Sequence, residues 1–472
     1  MRVTYQMSSM QDDIVLAGAI ISHLEQADDL LILALSPKGL QQKMDLFYTY
    51  YGNNFLIINA IKLVIGYHGP PPLWNPKFYF NGVEVEIVDE YTYVGMGFRC
   101  GVFRVFSSVF QNYYTAKSKK GLTASHAVLH IESMIGTLPL LEGTILYMGC
   151  IDPQLIYGCE VALDTSEALL ANLIAVQKSF FRRLLGLSKT AIVVATYTET
   201  GIIPLQFRRL ELALRFLSYL LGHPASTYVR AALEESLILD SQGKKPWIGD
   251  LKNVIAKWCP DFSLPLTDAL LNATDSTIMG NFKECCEKAM HAWIDSELTR
   301  VVSRTYILKL RKEPSTNGTC MSYKDMCAWS YISDIANVKH QKAFTKLITG
   351  DHPLAVVRLT WPDNHQTKIP HHDRLCCFCK TAVETPEHAM LQCMDNTLQI
   401  RRDEFFREFY ALHTNAIRFT PEMDCIYYLA YLASTKVSFS ILAKWIFDDL
   451  TIYDNVTVFV PEQYRHSVAP WI

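Results

Sequence analysis

The apolar periodicity of this chain changes near residue 105, and that change limits what the chain can fold into. Before it, residues 78–98 alternate in the period of two that strands require, and Asn81-Gly82 is the dipeptide of a two-residue hairpin turn. Further upstream, the run starting at Ile14 and the run Leu30–Leu35 are short and apolar, and Asp28-Asp29 precedes the second. This predicts a β-hairpin with the aspartates at its turn. Ser36-Pro37 reads as an N-cap followed by proline in the first helical turn, with Leu40, Met44, Phe47 and Tyr51 on one helical face. Gly52-Asn53-Asn54 ends that helix, and Phe55–Ile58 and Leu63–Ile65 read as strand. After residue 105 the spacing turns helical: Leu173, Val176, Phe180, Leu184 and Leu187 share one face, and a second helical region covers about 276–350. Gly243, Pro246, Pro260 and Pro265 mark a less regular stretch between them. The expected class is α+β, with a partial sheet of about four to six strands followed by a mostly helical body.

With 472 residues, half of them apolar, the chain can bury two to four domain cores. The net charge of −3 excludes a globally basic nucleic-acid binder, so any such surface is a local patch. Thirteen cysteines lack an even framework of spacings, and no leader-like apolar core comes after Met1. Both point to free thiols and an intracellular chain. The most membrane-like stretch, Cys425–Phe447, is interrupted by Lys436 and Lys444 and reads as two buried helical faces.

Cys376, Cys379, His388 and Cys393 form the pattern C-x2-C-x8-H-x4-C. Four nitrogen and sulfur ligands fill a tetrahedral Zn²⁺ shell, so the expected site is closed and structural. A segment this short lacks a core of its own, and metal binding supplies its folding energy. Cys377 competes for a place in the set; His371 and His372 are substitutes expected to face solvent. Lys368, Arg374, Phe378 and Lys380 give the module cations and a stacking ring for single-stranded nucleic acid.

Adjacent carboxylates at a hairpin apex, here Asp28 and Asp29, can hold Mg²⁺ or Mn²⁺ with substrate phosphates, although most such pairs are turn chemistry. Downstream of the pair, in chain order, come Ser36–Gln41, Asn59-Ala60-Ile61-Lys62, Tyr91-Thr92-Tyr93-Val94-Gly95, Tyr157-Gly158-Cys159-Glu160 and Gln177–Leu187. The ordered set resembles the last part of the palm, and the thumb, of reverse transcriptases from LINE-like (non-LTR) retrotransposons. The Glu384-Thr385-Pro386-Glu387-His388 segment resembles their C-terminal knuckle. The resemblance implies an RNA-directed DNA polymerase in which Asp28 and Asp29 are catalytic. It implies that Lys62 lies near the incoming triphosphate, that the hairpin with Tyr93 and Gly95 grips a primer end, and that a helical thumb with Lys178, Arg182 and Arg183 tracks a backbone. The implied divisions are 1–104 palm, 105–235 thumb, 236–354 helical connector, 355–396 zinc knuckle and 397–472 C-terminal helices.

Departures from the pattern set a second expectation. Gln26 stands where the family carries an aromatic residue, and Val94 where leucine is usual. Only 27 residues precede Asp28, too few for the fingers and the palm strand that bears the family's other metal-binding aspartate. Asp12 and Asp13 sit at the start of the same hairpin and do not replace it. A two-metal site needs that third carboxylate, so polymerisation by this chain alone is not expected, and Mg²⁺ or Mn²⁺ binds only if the site is completed.

Further basic clusters, Lys117/Lys119/Lys120, Lys189 and Arg208-Arg209, extend the expected backbone-tracking surface, or else are solvated helix faces. Asp448-Asp449 reads as a surface pair. The expected partners are RNA or DNA, with no membrane and no small-molecule substrate beyond nucleotides. Three readings compete: a polymerase fragment, a non-catalytic nucleic-acid-binding protein, and a decayed reading frame without a selected role.

Overall fold

The structure is a computed structural model that describes residues 12–26, 29–55, 58–59, 62–70, 74–265, 270–271, 275–314, 321–322, 330–360 and 368–465. It is mixed α and β, 59% helical, with small sheets concentrated at the N-terminal end. Two compact units are each assembled from three stretches of chain. One comprises Met1–Leu122, Pro153–Ile174 and Leu205–Met290; the other comprises Thr123–Asp152, Ala175–Pro204 and His291–Ile472.

In the first unit a hairpin forms next to the aspartates as expected, but its first arm is His23–Gln26, and the run starting at Ile14 pairs with itself instead. Strands β1 (Ile14–Leu16) and β2 (Ala19–Ile21) pair antiparallel, as do β3 (His23–Gln26) and β4 (Asp29–Ile32). Gln26 lies opposite Asp29, so two residues link the strands; Ala27 and Asp28 themselves lie outside the described residues. Helix α1 (Pro37–Asn53) starts as its cap predicts, with the Ser36 side chain accepting from the Gly39 N–H. Its buried Met44 packs with Phe78, Phe80, Val85 and Ile65 of a three-stranded sheet ordered β5 (Val64–Ile65), β7 (Val83–Ile87), β6 (Phe78–Phe80). Asn81 and Gly82 both take positive φ, 53° and 76°, the two left-handed residues that a type I′ turn needs. Strands β8 (Glu90–Tyr93) and β9 (Met96–Arg99) make a further hairpin.

Two expectations need correction. The described N-terminal strands do not join one sheet of four to six strands; they form three two-stranded sheets and one of three. Phe55 is not in a strand, because it takes φ 59° at the end of α1 and is 95% exposed. The stretch holding Gly243 and the prolines also contains a helix, Trp247–Trp258, which begins directly after Pro246.

The helical face expected from Leu173, Val176, Phe180, Leu184 and Leu187 is buried at all five positions, and helix Glu167–Leu184 carries the first four. Leu184 touches Gly143 so closely that a Cβ there would stand 2.2 Å from Leu184 Cδ1. In the second unit, helix Phe439–Asn455 buries Trp445 against Phe405 of helix Asn396–Leu412, the rings stacked 4.3 Å apart, and Phe439 against Phe344. No single described helix is long and apolar enough to cross a membrane; the pair Cys425–Ser434 and Lys436–Asn455 bends by 82° at its break.

Candidate functional site

The cysteine and histidine spacing builds one compact centre. Leu375 bridges Val383 antiparallel, which folds the chain back on itself around the first two cysteines. The Lys380 N–H donates to the Cys376 carbonyl at 2.9 Å, with Lys380 at φ 56°, and the Cys376 N–H donates to the Ala382 carbonyl at 2.8 Å. A short wide-turned helix, His388–Gln392, then brings His388 and Cys393 to the same point, its register fixed by Cys393 N–H to His388 carbonyl at 2.7 Å. The donor atoms of Cys376, Cys379, His388 and Cys393 all lie within 4.8 Å of one another.

Individual edges suit a tetrahedral metal shell. Cys376 Sγ and Cys393 Sγ are 3.8 Å apart, and Cys379 Sγ and His388 Nε2 are 3.4 Å apart. Zinc bond lengths imply edges of about 3.8 Å between two sulfurs and about 3.6 Å between sulfur and nitrogen. Cys376 and Cys393 are fully buried, His388 nearly so, and Cys379 is partly exposed. Cys377 is not in the group; its N–H instead donates to Glu384 Oε2 at 2.7 Å. His371 and His372 are exposed, as their sequence context predicts.

The surroundings hold the ligands in place. Glu384 is buried and accepts from the N–H groups of Cys377 and Ala355, both at 2.7 Å. Burial pushes its pKa up while these donors oppose the shift. Buried Arg402 donates from Nε to the Met390 carbonyl at 2.8 Å and from Nη2 to the Cys393 carbonyl at 2.7 Å. The Tyr453 hydroxyl is 3.8 Å from Cys376 Sγ, and its ring meets Phe378 edge-on at 5.2 Å. Without a cation, hydrogen bonds from Cys377 and Cys393 hold the Cys376 thiol far below its ordinary range. The same contact pushes the Cys393 thiol up. Such supporting partners commonly matter to affinity nearly as much as the ligands do.

The other predicted site residues are arranged differently. Asp29 is exposed at the start of β4, and Asp28 lies outside the described residues. Tyr93, at the tip of the β8–β9 hairpin, is held above the ordinary phenol range by burial and then by the Asp29 carboxylate. Gly95 has φ 72° at that tip. The Tyr157 hydroxyl donates to the Val94 carbonyl at 2.7 Å, and Lys117 Nζ lies 3.9 Å from the centre of the Tyr157 ring. Lys62 is exposed. Of the expected thumb cations, Arg183 is 57% exposed and paired with Glu132 at 3.3 Å. Arg182 is partly buried and donates to the Ala191 carbonyl at 2.9 Å. Lys178 is half-buried, which pulls its pKa down.

Several expected surface charges are interior. Lys117 is buried against Tyr157, whereas Lys119, Lys120 and Lys189 are exposed. Arg209 is 1% exposed: its Nε and Nη2 grip Asp164 at 2.8 Å, and its Nη1 donates to the Leu155 carbonyl at 2.6 Å. Arg374 is likewise buried and donates to the Ile369 and Val356 carbonyls, so of the three cations expected there Lys368 and Lys380 are the exposed ones. Asp449 is buried rather than on the surface; desolvation raises its pKa to about 7. Sequence reading marked Glu384 only as part of the Glu384–His388 segment and missed Arg402, because the role of each is defined by backbone groups it meets after folding.

Compared with protein-family models and with curated proteins, the chain matches none.

Proposed function

We propose that this chain carries the end of the palm, the thumb and the C-terminal knuckle of a LINE-like reverse transcriptase, and that by itself it binds nucleic acid without polymerising it. In this reading the Cys376, Cys379, His388 and Cys393 centre holds one structural Zn²⁺. Three soft thiolates and one imidazole favour zinc over hard cations, and a closed shell suits a structural role.

The observation that carries the polymerase ancestry is convergence. Tyr157 is bonded to Val94, so two of the separated segments that resemble the family meet, in the compact unit that also contains Asp29. The non-catalytic part rests on the aspartates nearest in sequence. Asp13 is buried and paired with Lys43 at 2.6 Å, and Asp12 lies against Gly39, where a Cβ would stand 2.1 Å from its Oδ2. Both are committed to packing around α1, and neither is free to serve as the third carboxylate of a two-metal site.

A primer-extension assay on an RNA template with Mg²⁺ or Mn²⁺ tests this reading. The expected outcome is salt-sensitive binding of the primer–template that Asp28→Ala leaves intact, with no extension. Extension that Asp28→Ala abolishes would overturn the non-catalytic part; absence of binding at low salt would overturn the nucleic-acid role.

A further inference from the structure

Helix Leu205–Leu221 ends in a depression of about 490 Å³ lined by Arg215, Ser218, Tyr219, Gly222, His223 and Met279. That size falls within the range of small-molecule clefts, ~300–1,000 Å³. Its components are complementary. Tyr219 is 56% exposed, unusual for so large an aromatic ring, and is the outer member of an aromatic run. It stacks on Phe216 at 6.0 Å and 17°, and Phe216 in turn meets Trp247 edge-on at 5.7 Å. His223 fixes the Tyr219 ring from the side, edge-on at 4.5 Å. The platform is therefore rigid before any ligand arrives. Arg215 is 61% exposed and uses one N–H on Glu211 at 2.5 Å, which leaves further donors of its fork for an anion.

We propose that this depression is a subsite for one nucleotide of a single strand. The base stacks on Tyr219, and Arg215 meets the phosphate. An aromatic platform beside a cation recognises a nucleotide with little sequence preference. The subsite deepens the nucleic-acid reading above and rests on it. Arg215, Ser218, Tyr219 and Gly222 follow the i, i+3, i+4, i+7 spacing of one helical face, and His223 and Met279 complete the depression.

The test uses the full chain and 5′-labelled oligothymidylate and oligouridylate twelve-mers, with binding read by fluorescence anisotropy at several salt concentrations. Tyr219→Ala is expected to weaken binding about tenfold, with Tyr219→Phe near the parent. Arg215→Ala is expected to lower the salt slope by about one phosphate contact. Both side chains are exposed, and circular dichroism of the variants verifies their fold. A uridylate preference would assign the strand to RNA and equal affinities to either strand; both support the subsite if the Tyr219→Ala loss is present. If the parent binds and Tyr219→Ala binds equally, the subsite is overturned while the wider reading stands. If the parent binds neither strand, both fall.

Discussion

The chain has two places where the sequence suggested metal chemistry, and they are built in opposite ways. At Cys376–Cys393 the four donors come from eighteen consecutive residues, three of them buried, and their backbone is anchored by Glu384 and Arg402. At the β3–β4 hairpin the described carboxylate, Asp29, is exposed, and the upstream aspartates Asp12 and Asp13 are engaged around α1. A site closed by local sequence needs only its own segment to be complete. A site at the tip of a hairpin needs partners delivered by distant chain. The difference teaches that donor identity is a weaker guide than the number of elements a site must recruit.

Removing the metal gives the largest expected effect. Chelation of the zinc-loaded chain should unfold residues 368–395 and expose them to protease, since structural zinc supplies about 10 kcal/mol or more of apparent folding energy in small modules. Retention of protection after complete zinc removal would break the comparison. Next comes Arg402→Ala, which strips two buried carbonyls of a charged donor. It should cost about 3 kcal/mol and weaken zinc binding ~10–100-fold, read by competition with a chromogenic chelator.

Acid provides a way to separate metal release from the fold of the second unit. Buried His352 has its pKa pulled down to about 3 by desolvation and then by Arg304. The folded state holds the neutral ring, so its contribution is complete above the unfolded value near 6.5 and is lost as pH falls from there towards 3. Denaturant titrations should show about 2 kcal/mol of stability lost between pH 7 and pH 5, and His352→Gln should flatten that slope. The smallest effect is expected at the other site: Asp29→Ala should change stability by no more than about 0.5 kcal/mol in the same titrations. A large loss there would mean that the carboxylate has a structural partner and would sharpen the contrast in the opposite direction.

Much of the local structure was legible. Ser36-Pro37 gave the start of α1, Asn81-Gly82 gave the β6–β7 turn, and the cysteine and histidine spacing gave the ligand set. Each of these is decided within a few residues. Arg208-Arg209 shows where legibility ends. Adjacent arginines read as a patch, but a helix turns successive side chains by roughly 100°, so Arg209 faces inward to Asp164. That partner lies 45 residues away in sequence, so no local pattern identifies it. Glu199 and Arg311, fully buried and paired at 2.8 Å, are separated by 112 residues and were invisible for the same reason. The N-terminal strands illustrate the limit for topology: alternation predicted their existence but did not determine which strands would pair across sheets.

Native mass spectrometry of the chain after exchange into buffer containing both Zn²⁺ and Mn²⁺ bears most directly on the contrast between the two sites. One zinc per chain, absent from Cys393→Ser, with no manganese retained, is the predicted result. A folded chain that carries no zinc, or one that keeps a manganese ion lost on Asp29→Ala, would contradict it.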